Sequence, residues 1–295
     1  MNKTIYKSPE DYKTLMAFYE ANLKRWPVPY ECLTVPTRHG ETHLIASGSP
    51  DAPSLVLLRG AGGNALLWAP VSVYLSRHFR TYAVDVIGES GKSAPNRPSY
   101  KGSAYGEWMV DVFDALGIER ANVAGTSRGG WLTLKIAHFA PDRVNCIVPM
   151  CAEGIAPISL KFFMRMIPVL AFPGRKTVTS LLRFLTPPHL PVPEYLVEER
   201  IIVYKTFRQS WRRPPMFTDD ELRQIGTPTL LLYGEQESVY NLTAIRERAA
   251  RLPTNFRVDM IPDAGHVLDY DQPEVVSARI EKFIRDGRDE RCMTF

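Results

Sequence analysis

Short apolar runs rich in valine and leucine alternate along most of the chain with segments that have the periodicity of amphipathic helices. Each run has the length of a buried strand and is bounded by glycine, proline or polar residues. The pattern predicts strands at residues 30–36, 42–47, 54–59, 81–86, 121–125, 144–150, 229–233 and 256–261. It predicts helices at about 9–26, 65–78, 105–116, 129–139, 244–252 and 273–284. This alternation is typical of an α/β fold with a mostly parallel sheet and helices on both faces.

The alternation is interrupted at residues 153–216, where prolines are dense among helical patches, and it resumes afterwards. A chain of 295 residues is long enough for one large domain with an insertion. We therefore expect a core domain made of residues 1–152 and 217–295, which includes the N-terminal helix, and an inserted helical cap at 153–216.

Charge and cysteine content narrow the choice of partners and compartment. The net charge is +4, which is too mild to suggest nucleic acid. Residues 155–216 carry ten lysines and arginines against three glutamates, so this segment has a charge of +7 and the rest −3. Four cysteines without a CxxC pair predict reduced thiols and a cytoplasmic protein. No apolar stretch is long enough to cross a membrane, and we expect no membrane partner.

A glycine-rich turn follows the third predicted strand. The segment Gly60-Ala61-Gly62-Gly63-Asn64-Ala65 fits the dinucleotide pattern G-x-G-x-x-[GA], and Asp85 ends the next strand 25 residues after Gly60. An NAD(P)-binding enzyme is therefore one alternative. The other is that the turn brings backbone N–H groups close to an oxyanion.

A possible nucleophile stands between the fifth predicted strand and the helix after it. The segment Gly125-Thr126-Ser127-Arg128-Gly129 has the form G-x-S-x-G. A sharp strand-to-helix turn needs small residues two positions before and after the serine, and it exposes the hydroxyl above the sheet. We predict Ser127 as a nucleophile.

A serine nucleophile needs a base, and the base needs an orienting acid. His266 follows the last predicted strand, so it lies at the same sheet edge as Ser127. The loop after the preceding strand carries Glu235 and Glu237. We predict Glu237 as the acid, with Glu235 and then Glu153 as alternatives.

With these segments in place, the chain resembles the α/β-hydrolase family from the first hairpin onward, and more closely the bacterial carboxylesterase-like members with a helical cap. The resemblance is carried by Gly60 with its small successors, Trp68, Asp85-Val-Ile-Gly88, Gly125-Thr-Ser-Arg-Gly129-Gly130, Gly234-Glu-Gln-Glu237 and Ala264-Gly265-His266. It implies an eight-stranded, mostly parallel sheet and an oxyanion hole formed by the N–H groups of Ala61 and Arg128. Arg59, Gly60 and Trp68 become possible substrate contacts.

Two residues depart from the family pattern. Arg59 stands where a histidine is usual, and Arg128 stands where an apolar residue or glutamine is common. Together with the basic cap they suggest the hypothesis that the substrate carries an anionic group.

The resemblance implies a serine hydrolase that acts on small carboxylic esters, with no cofactor and no metal. A carbon–carbon bond hydrolase or a perhydrolase would share the same three residues. A non-enzymatic sensor of a small molecule on the same fold is a further alternative.

Overall fold

The computed structural model describes residues 5–210 and 212–292; Trp211, which falls in the predicted cap, lies outside this part. The strands are β1 Tyr30–Val35, β2 Thr42–Ser47, β3 Ser54–Leu58, β4 Arg80–Val84, β5 Ala121–Thr126, β6 Val144–Met150, β7 Thr229–Gly234 and β8 Phe256–Ile261. The helices are α1 Pro9–Leu23, α2 Ala69–Leu75, α3 Ala104–Ala115, α4 Arg128–Phe139, α5 Leu160–Ala171, α6 Arg175–Leu185, α7 Glu194–Thr206, α8 Asp219–Arg223, α9 Leu242–Ala249, α10 Leu268–Asp271 and α11 Pro273–Cys292.

The strands of the described chain form one sheet in the order β1-β2-β4-β3-β5-β6-β7-β8. The β1–β2 and β2–β4 pairs are antiparallel, and the other neighbours are parallel. The chain runs from β3 to β4 and then crosses to the other side of β3 for β5. The loops after β3 and β5 therefore leave the same sheet edge side by side, which is where open α/β sheets bind ligands. The eight-stranded, mostly parallel sheet predicted from the sequence is confirmed.

The central strands agree with the apolar runs because they are buried on both faces. Every residue of β5 is buried, and so are the last four of β3. The predicted helix 65–78 is instead a short 3-10 turn, Ala65–Trp68, followed by α2. Pro70 explains the break, since its ring suits the first turn of a new helix but not the interior of one.

The insertion between β6 and β7 contains α5, α6 and α7, so the predicted helical insert is confirmed. Helix α1 packs against α7. A separate apolar cluster joins them: Ile5, Tyr6, Leu15, Val203 and Phe207. The N-terminal helix thus supports the insert as well as the core. The domain boundaries at 153 and 216 stay a prediction.

Within residues 5–210 and 212–292, no helix combines the length and apolar character needed to span a bilayer. The cytoplasmic location expected from the sequence stays a prediction.

Candidate active site

Ser127 occupies the turn between the end of β5 and the start of α4. Its φ of 57° and ψ of −113° form a conformation that residues with a side chain rarely adopt. A Cβ at Gly129 would lie 1.9 Å from the carbonyl oxygen of Leu58, and a Cβ at Gly125 would lie 2.3 Å from the carbonyl oxygen of Gly129. The turn therefore requires glycine at both positions of the G-x-S-x-G pattern.

His266 follows β8, and a carboxylate from the loop after β7 holds its imidazole. Nδ1 of His266 lies 2.8 Å from Oε2 of Glu237, whose side chain is fully buried. The other oxygen, Oε1, accepts a hydrogen bond from the Val239 N–H at 2.6 Å. Glu235 is exposed, and Glu153 is paired with arginines. Of the three candidate acids, the structure brings Glu237 to the histidine.

The surroundings of Glu237 favour its charged form. Burial by itself would raise the pKa of Glu237, but the charge of His266 and hydrogen bonds from His266, Cys151 and the Val239 N–H outweigh it, so the pKa lies below its ordinary value. Burial raises the pKa of Cys151 well above its ordinary value, so this residue remains a thiol, which lies beside Glu237 and within 3.9 Å of the Gly265 carbonyl oxygen. An ionised Glu237 can orient the imidazole and stabilise an imidazolium.

Two residues near His266 were missed by the sequence analysis. The ring of Tyr240 lies 5.7 Å from the imidazole, centroid to centroid, and Tyr240 lines the same cavity as Ser127. Burial raises the pKa of Tyr240 well above its ordinary value, so the phenol stays protonated. Cys151 directly follows β6 with a positive φ of 43°. Neither residue belongs to a local pattern that marks it in the sequence.

The N–H groups expected to form an oxyanion hole belong to Ala61 and Arg128, and both residues line the same cavity as Ser127. Arg128 is the first residue of α4, where N–H groups lack helical partners and the helix dipole favours negative charge. In the described part of the chain, neither N–H donates a hydrogen bond to another protein group. Both donors are therefore available to a ligand.

One carboxylate connects the two segments that carry these donors. Oε2 of Glu89 accepts the Gly62 N–H at 2.7 Å, and Oε1 lies 3.3 Å from Nη1 of Arg128. The carbonyl oxygen of Gly62 accepts hydrogen bonds from the Ser90 hydroxyl at 2.8 Å and from Nη2 of Arg200 on α7 at 2.7 Å. Gly62, the residue after the first donor, is thus held through both its N–H group and its carbonyl oxygen.

Ser127 and His266 open onto one cavity of about 240 Å³ between the sheet edge and the insert. The insert contributes mainly apolar side chains to its wall: Phe162, Phe163, Met166, Leu170, Leu181, Leu182, Leu185 and Leu196. Such a wall suits an apolar group of limited size next to Ser127.

Each of the four arginines that line the cavity in the described chain has a carboxylate partner. The pairs are Arg59 with Asp269, Arg128 with Glu89 and Glu153, Arg200 with Glu199, and Arg213 with Glu153. Their charges are neutralised locally. The hypothesis of an anionic substrate therefore has no support from these four arginines, since none of them offers an uncompensated charge to a ligand. The hypothesis arose from counting charges along the sequence, and such a count does not reveal which charges are paired.

The three possible substrate contacts lie in different places. Arg59 and Gly60 line the cavity, whereas Trp68 is fully buried and does not line it. The Trp68 ring centroid lies 4.9 Å from Cζ of Arg59. A Cβ at Gly60 would lie 3.0 Å from Cβ of Ser127, so glycine lets the loop pass close to the serine. Trp68 therefore packs against the guanidinium of Arg59, on the side away from the cavity, and does not contact a ligand.

Asp85 is not available to a dinucleotide. It is fully buried, and its carboxylate accepts the N–H groups of Ala65 at 2.7 Å and Lys92 at 2.8 Å. Its Oδ2 also lies 3.1 Å from Nδ1 of His43. These contacts consume the oxygens that would bind a ribose, so the geometry does not favour the NAD(P)-binding alternative.

One trio in the described chain has the spacing of metal ligands: Cys151, Glu237 and His266, whose ligand atoms lie within 4.8 Å of one another. Because Oε2 of Glu237 already lies 2.8 Å from Nδ1 of His266, this trio is the acid–histidine pair with a neighbouring thiol. A metal there would compete with the contact that orients the imidazole.

Residues 55–279 match the sequence model of the alpha/beta hydrolase family. The chain belongs to this family. This α/β hydrolase is 35% identical over 281 residues to carboxylesterase YbfK of Bacillus subtilis strain 168, a match that covers 91% of this chain and 93% of that protein.

Two solved structures resemble it closely. The crystal structure of the Bacillus subtilis carboxylesterase CesB (YbfK) has a TM-score of 0.83 at 33% identity, over 93% of this chain and 98% of that one. The naproxen esterase (carboxylesterase NP) of the same species has a TM-score of 0.85 at 31% identity, over 94% and 99% of the two chains. The α/β hydrolase is therefore carboxylesterase-like, and the family resemblance derived from its sequence motifs is confirmed.

Proposed function

We propose that this α/β hydrolase cleaves small carboxylic esters with Ser127, His266 and Glu237. The proposal rests on one observation: a strained turn puts Ser127 in the same cavity as His266, whose Nδ1 is bound to the buried carboxylate of Glu237. The similarity to carboxylesterases along nearly the whole chain supports it.

The reaction proceeds in two halves. His266 takes the proton of the Ser127 hydroxyl as its oxygen attacks the acyl carbon, and Glu237 stabilises the imidazolium. The N–H groups of Ala61 and Arg128 donate to the tetrahedral oxyanion, each contributing about 3–4 kcal/mol to its stabilisation. The alcohol leaves with the proton from His266. Water, deprotonated by His266, then attacks the acyl-enzyme, releases the carboxylic acid and restores Ser127.

The cavity determines the class of ester. Its volume of about 240 Å³ and apolar wall match a short acyl chain better than a long or charged one. We further propose that residues 153–216 are the cap that forms this wall, on a core of residues 1–152 and 217–295.

The test is hydrolysis of p-nitrophenyl butyrate, combined with labelling by a fluorophosphonate and peptide mapping. Ser127→Ala is expected to lower kcat by on the order of 10⁵-fold or more and to abolish labelling. Ser210 lines the same cavity, so Ser210→Ala is the matched control and should keep both activities.

A label on any residue other than Ser127 would overturn the assignment of the nucleophile. Absence of turnover together with a ligand-dependent thermal shift would support a sensor. Saturable binding of NADH would revive the dinucleotide alternative.

A further inference from the structure

Glu89 is a buried carboxylate that no step of the proposed reaction uses. It lies in the loop after β4, exposes 4% of its surface and does not line the cavity, so it does not contact a substrate bound there. A buried carboxylate is costly unless its oxygens are paired. The two oxygens of Glu89 have partners on two different segments, and each segment carries one of the N–H groups assigned to the oxyanion hole.

The first partner of Glu89 belongs to the turn that carries the Ala61 N–H. The Gly63 N–H donates to the Gly60 carbonyl oxygen at 3.0 Å and closes a four-residue turn. Its third residue, Gly62, has a φ of 63°, whereas Ala61 is not among the described residues with a positive φ. These signs are those of a type II turn. The more common type I turn has a negative φ at its third residue, so its middle peptide group is turned over.

Glu89 holds the middle peptide group of this turn in one of the two orientations. Its Oε2 accepts the Gly62 N–H at 2.7 Å, and this N–H belongs to the peptide group that joins Ala61 to Gly62. A hydrogen bond to a charged acceptor is stronger than one between neutral groups, so the carboxylate favours the orientation that the structure shows. The direction of the Ala61 N–H depends on the form of this turn, because both peptide groups share the Ala61 Cα.

The second partner of Glu89 is the side chain of the other donor residue. Oε1 of Glu89 lies 3.3 Å from Nη1 of Arg128, and both side chains are buried. Arg128 is the first residue of α4, and its backbone N–H is the second donor assigned to the oxyanion hole. Nε of Arg128 lies 3.4 Å from Oε2 of Glu153 on the other side. Arg128 is therefore held between two carboxylates, one of which also holds the turn of the first donor.

We propose that Glu89 is a positioning residue that sets the distance between the two N–H donors of the oxyanion hole. The inference rests on the proposed function, which assigns these donors to Ala61 and Arg128. Each donor stabilises the oxyanion when it lies about 2.7–3.1 Å from the oxygen. A single carboxylate bound to both segments keeps the two donors at the separation that one oxygen needs.

The sign of its charge separates a positioning role of Glu89 from a direct electrostatic effect. A carboxylate by itself destabilises a nearby oxyanion, because like charges repel. If Glu89 acted through its charge alone, its removal would raise kcat or leave it unchanged. A positioning role predicts the opposite, which is a lower kcat when the carboxylate is removed.

The experiment compares two variants of Glu89 in the full chain. Glu89→Leu removes both contacts, and kcat and kcat/KM for p-nitrophenyl butyrate are expected to fall together by about 10²-fold, the usual cost of a displaced oxyanion donor. KM should stay near its wild-type value, because Glu89 does not line the cavity. The amide oxygen of Glu89→Gln can still accept the Gly62 N–H, so this variant should recover about tenfold of the lost kcat.

Labelling by a fluorophosphonate gives a second measurement that does not depend on ester turnover. Oγ of Ser127 bonds to phosphorus as fluoride leaves and the hydroxyl proton passes to His266, while the phosphoryl oxygen occupies the oxyanion hole. The labelling rate of Glu89→Leu should therefore fall in parallel with kcat. A wild type that is labelled at Ser127 but hydrolyses no ester would contradict the proposed function, and the labelling rates of the variants would still decide the role of Glu89.

Asp111→Leu is the matched control. Asp111 also accepts a backbone N–H and pairs with an arginine side chain, in this case both from the exposed Arg38 at 2.8 Å. Neither residue lines the cavity, so this variant should keep the wild-type kcat and labelling rate. Unfolding in urea measures how much stability each variant has lost.

Three results would overturn the positioning role. The first is a kcat in Glu89→Leu that equals or exceeds the wild-type value. The second is a raised KM in place of a lowered kcat, and the third is a loss of activity no larger than that of Asp111→Leu. Glu89→Gln keeps the shape of the side chain, so it decides the question if Glu89→Leu does not fold. A wild-type or higher kcat in Glu89→Gln would then overturn the proposal.

Discussion

The buried ion pair between Arg59 and Asp269 allows a quantitative prediction of how much stability is lost when one partner is removed. Both side chains are buried, and Cζ of Arg59 lies 4.9 Å from the Trp68 ring centroid and 5.9 Å from that of Tyr270. Asp269→Ala leaves the guanidinium in this apolar pocket without its carboxylate. Removing one partner of a buried pair costs about 3–5 kcal/mol, because the remaining charge is uncompensated. We expect a loss of that size in the free energy of unfolding, measured in urea.

Two controls separate the uncompensated charge from the loss of a contact. Asp220→Ala removes an ion pair with Arg223 in which the Asp220 side chain is 85% exposed. This change should lower the free energy of unfolding by less than about 1 kcal/mol. Replacing both buried partners, as Arg59→Met with Asp269→Leu, should recover most of the stability lost in Asp269→Ala. The reasoning is refuted if Asp269→Ala costs no more than Asp220→Ala, or if the double variant is less stable than the single one.

Three further predictions address the acid Glu237, the turn that carries Ser127, and the pH dependence of stability. Glu237→Gln should lower kcat/KM for p-nitrophenyl butyrate about 10³–10⁴-fold, because an amide cannot stabilise the His266 imidazolium. Gly129→Ala should lower the free energy of unfolding in urea by about 3 kcal/mol or more, since its Cβ would meet the Leu58 carbonyl oxygen. Burial raises the pKa of Asp271 from 3.8 to about 7, so its stabilising contribution is complete below pH 3.8 and is lost as the pH rises through about 7. In urea unfolding at several pH values, the stability of Asp271→Asn relative to wild type should therefore increase between these values and stay constant above.

Each of these predictions has a control or a contrary result. Glu235→Gln changes an exposed acid of the same loop and should keep the wild-type rate. Gly226→Ala adds a Cβ with no atom within 4 Å, so it should leave stability nearly unchanged. A rate loss in Glu235→Gln equal to that of Glu237→Gln would undo the choice of acid. A pH-independent difference for Asp271→Asn would contradict the raised pKa.

The sequence predicts the sheet well because its strands are short apolar runs with clear boundaries. It fails where an element ends inside a polar or mixed segment. Helix α11 continues to Cys292, beyond the predicted end at 284, because a polar run carries no signal for where a helix stops. The break at Pro70 was visible in the sequence, but the apolar periodicity on both sides of it favoured one continuous helix.

The residues of the candidate site also differ in whether the sequence can predict them. Ser127 and His266 could be placed from local motifs, because a strand end and a tight turn fix their positions. The contacts of Tyr240 and Cys151 with the acid–histidine pair, and the hydrogen bonds of the Glu89 carboxylate, join segments far apart in the chain. Such contacts exist only once the sheet brings the loops together, so no local pattern predicts them.

The hydrogen bond from Arg200 to the Gly62 carbonyl oxygen has a consequence for chimeras between this α/β hydrolase and its relatives. The loop that carries the Ala61 N–H takes one of its fixing contacts from α7. A chimera that receives another protein's insert would lose this contact unless the graft supplies an equivalent donor, and Gly62 would keep its hydrogen bonds with Ser90 and Glu89. Under the proposed function, substrate range and catalytic competence would therefore be inherited together, and redesign of the pocket would have to carry Arg200 with its partner Glu199.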